Sequence, residues 1–150
     1  MKFLGYTLLP GGYICVSDVS VTRLKDKIRE ITKRNRGVPF MQLIRELNRV
    51  IIGWVNYFKL ANRWLDTFRN MEGWMRRKLR CYRLKQCGRK YTIFKFLRSF
   101  GVPETTSWYV VMYSQGWWKM SSKVAVAKAM GNQWFAQHGL HSLLLRMKTF

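Results

Sequence analysis

Ten basic residues and no acid occur between positions 76 and 98 of this 150-residue chain. They are Arg76, Arg77, Lys78, Arg80, Arg83, Lys85, Arg89, Lys90, Lys95 and Arg98, and aromatic residues lie among them at Tyr82, Tyr91, Phe94 and Phe96. Basic side chains neutralise phosphates, whereas flat rings and guanidinium planes stack on unpaired bases. A short basic run is usually a solvated helix face, but a run of this length without a counter-charge favours nucleic-acid binding.

We predict RNA contacts at the first eight residues of this run and at eight positions elsewhere. The additional positions are Lys33, Arg34, Arg36, Asn56, Tyr57, Trp117, Trp118 and Lys119. The first three lie beside a predicted helix end. Asn56 and Tyr57 lie off an apolar stripe, where the pattern is compatible with packing and with ligand contact. The Trp117-Trp118 pair is compatible with a stacking platform and equally with a turn packed beneath the helices.

The net charge of the chain also indicates an anionic partner. The sequence has 28 Lys and Arg against 7 Asp and Glu, which gives a net charge of +21. A membrane surface would attract that charge too. However, no stretch of about 18 apolar residues is present to span a bilayer, and the first ten residues are too short for the apolar core of a signal peptide. We therefore expect a cytoplasmic protein that binds nucleic acid.

The cysteine and histidine residues do not suggest a metal or redox site. The three cysteines, Cys15, Cys81 and Cys87, include no C-x-x-C pair, so neither a disulfide framework nor a zinc site is indicated. His138 and His141 are three residues apart, but no Cys, Asp or Glu lies near them in the sequence, which disfavours a metal site. We expect neither a metal nor a cofactor.

The N-terminal residues predict a β-hairpin followed by a helix. Residues 3–9 and 13–16 are rich in aromatic and apolar residues, and Pro10-Gly11-Gly12 separates them as a turn. A two-stranded ribbon is marginal in water, so it should either cover the helices or be the edge of a larger sheet. Ser20 is a suitable cap for a helix over residues 21–35.

Two longer helices are predicted next, and each has an apolar stripe at spacings of three and four. The first spans residues 40–60 after Pro39, and the second spans about residues 64–84. Three amphipathic helices with short links predict a three-helix bundle. The arginines at 76, 77, 80 and 83 fall mostly off the apolar stripe, so we expect their replacement to leave the fold intact.

The remainder of the chain predicts short, irregular elements. Helices are expected over residues 91–99, 103–113 and 123–130, with a turn at 116–118. The tail over 133–147 is mixed, with a helix expected at its end, where Leu140, Leu143 and Leu144 are available to pack. The predicted fold is mainly α, with three parts. Residues 1–18 form a β region, residues 19–87 form the three-helix bundle, and residues 88–150 form a small helical appendix.

Several segments, in order along the chain, resemble the C-terminal part of bacterial group II intron-encoded reverse transcriptases, also called maturases. The segments are residues 3–6 (FLGY), 27–37 (KIREITKRNRG), 44–48 (IRELN), 53–58 (GWVNYF), 76–83 (RRKLRCYR), 101–103 (GVP), 118–121 (WKMS) and 134–135 (WF). The resemblance spans nearly the whole chain. It implies the end of the polymerase palm followed by the thumb, or maturase-specific domain X.

The acidic residues required for polymerase chemistry are missing from this sequence. The family's polymerase uses adjacent carboxylates to hold two metal ions, and no Asp-Asp or Asp-x-Asp occurs here. Asp26 and Glu30 would share a helix face, but basic neighbours make salt bridges a better interpretation than a metal site. The cysteine pairs of the family's endonuclease domain are also missing. We expect neither polymerase nor nuclease activity from this chain.

The resemblance implies an RNA-binding maturase domain that grips structured group II intron RNA and assists its splicing and mobility. Two alternatives involve the polymerase. The chain would be the thumb of a truncated or split reverse transcriptase, which contacts an RNA–DNA template–primer when a separate chain supplies palm and fingers, or it would be an inactive remnant. A basic RNA-binding protein of another kind, such as a ribosomal accessory protein, is a weaker interpretation.

Overall fold

Short strands precede a series of helices in the computed structural model, which describes residues 1–148 apart from the side chain of Phe3. The strands are β1 (Lys2–Phe3), β2 (Tyr6–Leu9) and β3 (Tyr13–Val16). The helices are α1 (Asp18–Ile31), α2 (Phe40–Tyr57), α3 (Leu65–Cys87), α4 (Lys90–Ser99), α5 (Glu104–Tyr113), α6 (Trp117–Ser121), α7 (Val124–Ala129), α8 (Asn132–Gln137) and α9 (Leu143–Lys148). The mainly helical fold with an N-terminal hairpin, predicted from the sequence, is confirmed.

The predicted hairpin is formed by β2 and β3, and β1 adds a third antiparallel strand in the order β1-β2-β3. The sheet covers the helices through Tyr6. Its hydroxyl donates to the carbonyl oxygen of Tyr57 at 2.7 Å, and its ring meets Phe58 edge-on at 5.2 Å. The β1–β2 turn contains Gly5 at φ +84°, where an added Cβ would lie 2.8 Å from the Ser20 hydroxyl. A side chain at this position would therefore push the sheet off α1.

The first helix begins earlier than the sequence predicted. Its N-cap is Ser17, whose Oγ accepts from the Ser20 backbone N–H at 3.2 Å, and Asp18 occupies the first turn. The assignment of Ser20 as the cap was wrong. Ser20 is buried inside the helix, and its hydroxyl donates to the carbonyl oxygen of Gly5 at 3.0 Å. Both serines suit a cap, and contact with the sheet decides which of them takes the position.

The apolar stripes of α1, α2 and α3 meet in one core, as the helical spacing predicted. Leu43, Leu47, Phe68, Met75 and Leu79 are fully buried there. The Tyr82 hydroxyl is satisfied in this core, because it donates to the carbonyl oxygen of Val38 at 2.7 Å. The core also includes Phe135, Leu143 and Met147 of the last two helices, so the end of the chain packs back against the bundle.

A second core lies between the end of α3 and helices α4 to α7. Its buried residues include Leu84, Leu97, Val110, Met120 and Val126. The turn predicted at 116–118 was only partly right. Gly116 has φ +89° and reverses the chain, but Trp117 already belongs to α6. A five-residue helix is too short for periodicity to indicate it.

Candidate nucleic-acid interface

A groove of about 760 Å³ lies between the end of α1, the middle of α3 and the start of α6. We call it the basic groove. Its cations are Arg29, Lys33, Arg34, Lys78 and Lys85. The other lining residues are Thr32, Asn35, Cys81, Trp117 and Trp118. None of these lining residues is acidic, and four of the five cations have no salt bridge in the described residues, whereas Arg29 pairs with Asp26 at 2.9 Å, so the groove is positive. Six of the residues predicted to contact RNA are therefore brought together here: Lys33, Arg34, Lys78, Lys85, Trp117 and Trp118.

The groove cations come from α1, from the loop that follows it and from α3. On α1, Lys25 and Arg29 are four residues apart and share a face, whereas Lys33 and Arg34 follow the end of the helix at Ile31. On α3, positions 78 and 85 are seven residues apart and also share a face. Lys85 connects α3 to the loop after α1, because its Nζ donates to the carbonyl oxygen of Arg34 at 3.2 Å. Arg29 was missed as a candidate, although the spacing of 25, 29 and 33 was a usable signal.

The pKa of Lys78 reflects the positive charge collected in the groove. Burial lowers the pKa of its ammonium group, and the positive charges of Arg29 and Arg34 lower it further. Burial also raises the pKa of the Cys81 thiol, whose Sγ lies 3.8 Å from Nη1 of Arg34. A cation that is partly desolvated among other cations has an unfavourable electrostatic free energy. An anion placed in the groove would relieve it.

The two groove tryptophans form half-buried walls. The Arg77 guanidinium lies 3.7 Å from the ring centroid of Trp118, and Lys78 Nζ lies 5.4 Å from the same centroid. Trp117 packs against the second core. Arg77 thus occupies one face of the Trp118 ring, and what the groove can contact is limited to the remaining ring surface. Lys119 is exposed outside the groove and donates to Gln115 Oε1 at 3.1 Å.

Four arginines predicted to contact RNA are half-buried and contact other parts of the protein. Arg76 lies 3.6 Å from the buried carboxylate of Glu72. Arg77 donates to Ser121 Oγ at 3.2 Å and to the carbonyl oxygen of Trp118 at 2.8 Å. These contacts attach α6 to α3.

The other two hold later helices in the same way. Arg80 donates from Nε to the carbonyl oxygen of Met130 at 3.0 Å, and burial lowers its pKa. Arg83 places its guanidinium 4.5 Å from the ring centroid of Phe96 and contacts Cys87 Sγ at 3.5 Å. The sequence placed all four arginines off the apolar stripe of α3. It did not show that later helices contact Arg77, Arg80 and Arg83 there, or that Arg76 pairs with Glu72 within α3.

Arg36 is also used within the protein. Its Nη1 donates to Glu46 Oε2 at 2.6 Å and to the carbonyl oxygen of Ile31 at 2.8 Å, and its Nη2 donates to Glu46 Oε1 at 3.0 Å. These hydrogen bonds lower the pKa of the Glu46 carboxyl group. Arg36 therefore connects the α1–α2 loop to α2 by hydrogen bonds. It does not line the basic groove.

The remaining predicted contacts lie outside the groove. Arg89 and Lys90 are exposed where α3 passes into α4. Asn56 and Tyr57 are exposed at the end of α2 next to the sheet, where the Tyr57 hydroxyl donates to the carbonyl oxygen of Leu4 at 3.3 Å. The structure does not bring these four residues together with the groove cations.

Two negative observations hold for residues 1–148. They contain no group of three or more His, Cys, Asp or Glu side chains placed to hold a metal ion. Asp26 and Glu30 instead form salt bridges with Arg29 at 2.9 Å and with Lys27 at 3.9 Å. In the same residues, no helix has both the length and the apolar character needed to cross a membrane.

The chain matches the model of a known protein family. The family model of the group II intron maturase-specific domain matches residues 21–100. That range contains α2, α3, α4 and nearly all of α1, and hence every cation of the basic groove, but it ends before α6 and its two tryptophans. The matched domain is a non-catalytic one. Among curated proteins, none matches the chain.

Proposed function

The chain belongs to the family of group II intron maturase-specific domains, and on this premise we propose that it grips structured group II intron RNA and assists its splicing and mobility. The observation that carries the proposal is the basic groove, whose lining includes five cations and no acid, all contributed by α1, the loop after it and α3 within the matched domain. The groove is better suited to contact the phosphate backbone than to read the edges of bases, because its charges are presented by a wide concave surface.

Binding of this kind assists splicing without chemistry by the protein. A folded RNA brings phosphates close together, and their repulsion opposes the compact state. Cations held in place by a rigid bundle bind converging phosphates more tightly than separated ones, so they shift the RNA population toward its folded form. In this proposal the splicing reaction belongs to the RNA. The protein supplies no polymerase site, since phosphoryl transfer by two metal ions needs paired carboxylates.

A double replacement in the groove tests the proposal. Lys33→Ala with Lys85→Ala removes two exposed groove cations, and Arg45→Ala with Arg49→Ala removes the same charge from exposed positions of α2 outside the groove. Binding to a folded group II intron RNA is measured by filter retention over a range of salt concentrations. Each lost phosphate contact reduces the slope of log affinity against log salt by about 0.9.

We expect the parent protein to lose roughly 500-fold in affinity between 50 and 200 mM salt if about five groove cations contact phosphates. The groove variant should have a slope smaller by about 2, whereas the α2 variant should keep a slope close to that of the parent. Equal effects of the two variants would mean that net charge alone drives binding. In that case the groove would not be the binding site.

A second candidate function is favoured by the N-terminal sheet. Its outer strand β1 has only two residues, and no other strand of the described residues pairs with its outer edge. A neighbouring palm sheet supplied by a separate chain would pair with that edge. The protein would then be the thumb of a split reverse transcriptase and would contact its template–primer. Stimulation of DNA synthesis by a separate palm-and-fingers chain would support this second function.

A further inference from the structure

Helices α4 and α5 present aromatic side chains to solvent on a surface separate from the basic groove. We call it the aromatic face and define it by Tyr91, Phe94, Trp108, Tyr109, Met112 and Tyr113. Tyr91, Tyr109 and Tyr113 have exposed fractions of 58%, 60% and 70%. The inner side of α5 already contributes Ser107, Val110 and Val111 to the buried interior, so the core does not need the exposed rings.

The rings are arranged as flat surfaces. Phe94 and Trp108 are stacked with centroids 4.0 Å apart and planes 18° apart. Tyr91 continues this arrangement, with its ring 6.3 Å from Phe94 and an interplanar angle of 16°. On the outer side of α5, the Tyr109 and Tyr113 rings lie 5.0 Å apart with their planes tilted by 37°. The near-parallel rings of Tyr91, Phe94 and Trp108 match the shape of stacked bases, and the two exposed tyrosines of α5 offer further ring surfaces on which a base can stack.

The charge around these rings selects the kind of partner. Helix α4 and the residue before it carry four exposed cations, at Arg89, Lys90, Lys95 and Arg98, whereas the described residues of α4 and α5 contain one acid, Glu104. Lys95 Nζ lies 4.9 Å from the Tyr91 ring centroid. Exposed rings bordered by cations are the combination that binds unpaired nucleotides, since the rings stack on bases and the cations contact phosphates.

We propose that the aromatic face binds an unpaired, single-stranded RNA segment by stacking its bases on Tyr91, Tyr109 and Tyr113. The proposal rests on the proposed function to the extent that its ligand is RNA, but it concerns a second surface and a different form of that RNA. The basic groove takes the backbone of folded RNA, and the aromatic face takes bases that the folded RNA leaves unpaired. The chain would therefore contact its RNA at two separate surfaces.

Paired variants separate stacking from simple apolar contact. Tyr109→Leu with Tyr113→Leu keeps an apolar surface but removes both flat rings, whereas Tyr109→Phe with Tyr113→Phe keeps both rings. The ligand is a fluorescein-labelled ten-nucleotide RNA without self-complementarity, measured by fluorescence anisotropy at about 0.2 M salt, where surface electrostatics are reduced. Both positions are exposed, so thermal melting of each variant should match that of the parent.

We expect the leucine pair to bind the single-stranded RNA at least about fivefold more weakly for each ring that stacks a base, and the phenylalanine pair to bind it as the parent does. Equal binding by parent and leucine pair would overturn the proposal. The proposal would also be overturned if the leucine pair lost self-association while its RNA affinity stayed unchanged, because the face would then bind a second copy of the chain.

Folded intron RNA, measured with the same proteins, separates this proposal from the proposed function. The Lys33→Ala, Lys85→Ala variant should lose affinity mainly for folded RNA, and the leucine pair should lose it mainly for the single strand. Groove-dependent binding of folded RNA without ring-dependent binding of the single strand would overturn only the stacking surface. The opposite result would overturn the groove and support the stacking surface.

Discussion

Replacement of Arg77 by alanine should destabilise the protein, although the sequence pattern alone places this residue on a dispensable surface. The guanidinium donates to Ser121 Oγ and to the carbonyl oxygen of Trp118, and it stacks on the Trp118 ring. A hydrogen bond from a charged group contributes about 1.5–3 kcal/mol, and an exposed cation–π contact contributes about 0.5–1 kcal/mol. Because Arg77 is only half-buried, we count the equivalent of one such hydrogen bond and the cation–π contact and expect a loss of about 2–4 kcal/mol.

For a chain of this length, each kcal/mol lowers the melting temperature by about 2–4 °C, so Arg77→Ala should melt roughly 4–16 °C below the parent. Calorimetry or circular dichroism measures the shift. Arg45→Ala removes the same charge from an exposed position and should change stability by less than about 0.5 kcal/mol. Arg77→Lys should recover only part of the loss, because an ammonium group cannot reproduce the planar stack or both hydrogen bonds. A parent-like melting temperature for Arg77→Ala, combined with weakened RNA binding, would refute the reasoning and make Arg77 a ligand contact.

Three further predictions concern the core, the acid response and the chemistry. Leu47 is fully buried, so Leu47→Ala should lower the free energy of unfolding by about 2–5 kcal/mol in a denaturant titration; a smaller change would mean that the bundle core is loosely packed. The pKa of Glu46 is lowered in the folded state from its ordinary value of 4.5, so its stabilising contribution is present above that value and is lost as the pH falls through the folded-state pKa. Glu46→Gln should therefore reduce stability near neutral pH and reduce its acid dependence below about pH 4.5, and identical pH profiles for variant and parent would contradict this. In primer extension, the chain alone should incorporate no nucleotide with any divalent metal, because paired carboxylates are missing from its sequence; incorporation that survives repurification would reveal a catalytic centre.

The parts of the fold that the sequence predicted are those where one periodic pattern decides the outcome. The stripes containing Leu47 in α2 and Leu79 in α3 repeat over several turns, and both residues are fully buried. The start of α1 was misplaced because Ser17 and Ser20 suit the cap equally, and only contact of Ser20 with the sheet distinguishes them. The sequence indicated that the tail ends in a helix at which Leu140, Leu143 and Leu144 pack, and all three contact the bundle core. It did not indicate the core as the partner, since α8 and α9 have six residues each and too few turns to show a face.

The sequence predicted which charged residues are candidates for the site, but it did not predict which of them lie together on one surface. The types of Lys33, Lys78 and Lys85 indicated phosphate contact, and the structure places all three in one groove. The same pattern included Arg77 and Arg80, whose partners are a carbonyl oxygen of α6 and one at the end of α7. A basic residue on an amphipathic helix looks the same in sequence whether it contacts water, phosphate or a later part of its own chain.

The division of the basic run between lysine and arginine has a physical basis. A guanidinium group is delocalised and weakly hydrated, so it tolerates partial burial and satisfies fixed carbonyl oxygens, whereas an ammonium group is strongly hydrated and favours exposed positions. On α3 the half-buried contacts to later helices are made by Arg77, Arg80 and Arg83, whereas the groove cations are the exposed Lys85 and the half-buried Lys78. Arg77 holds α6 in place, and α6 supplies the tryptophan wall of the groove. The basic run therefore supports one wall of the groove through Arg77 and charges the groove through Lys78 and Lys85, so the tryptophan wall depends on the folding of α6.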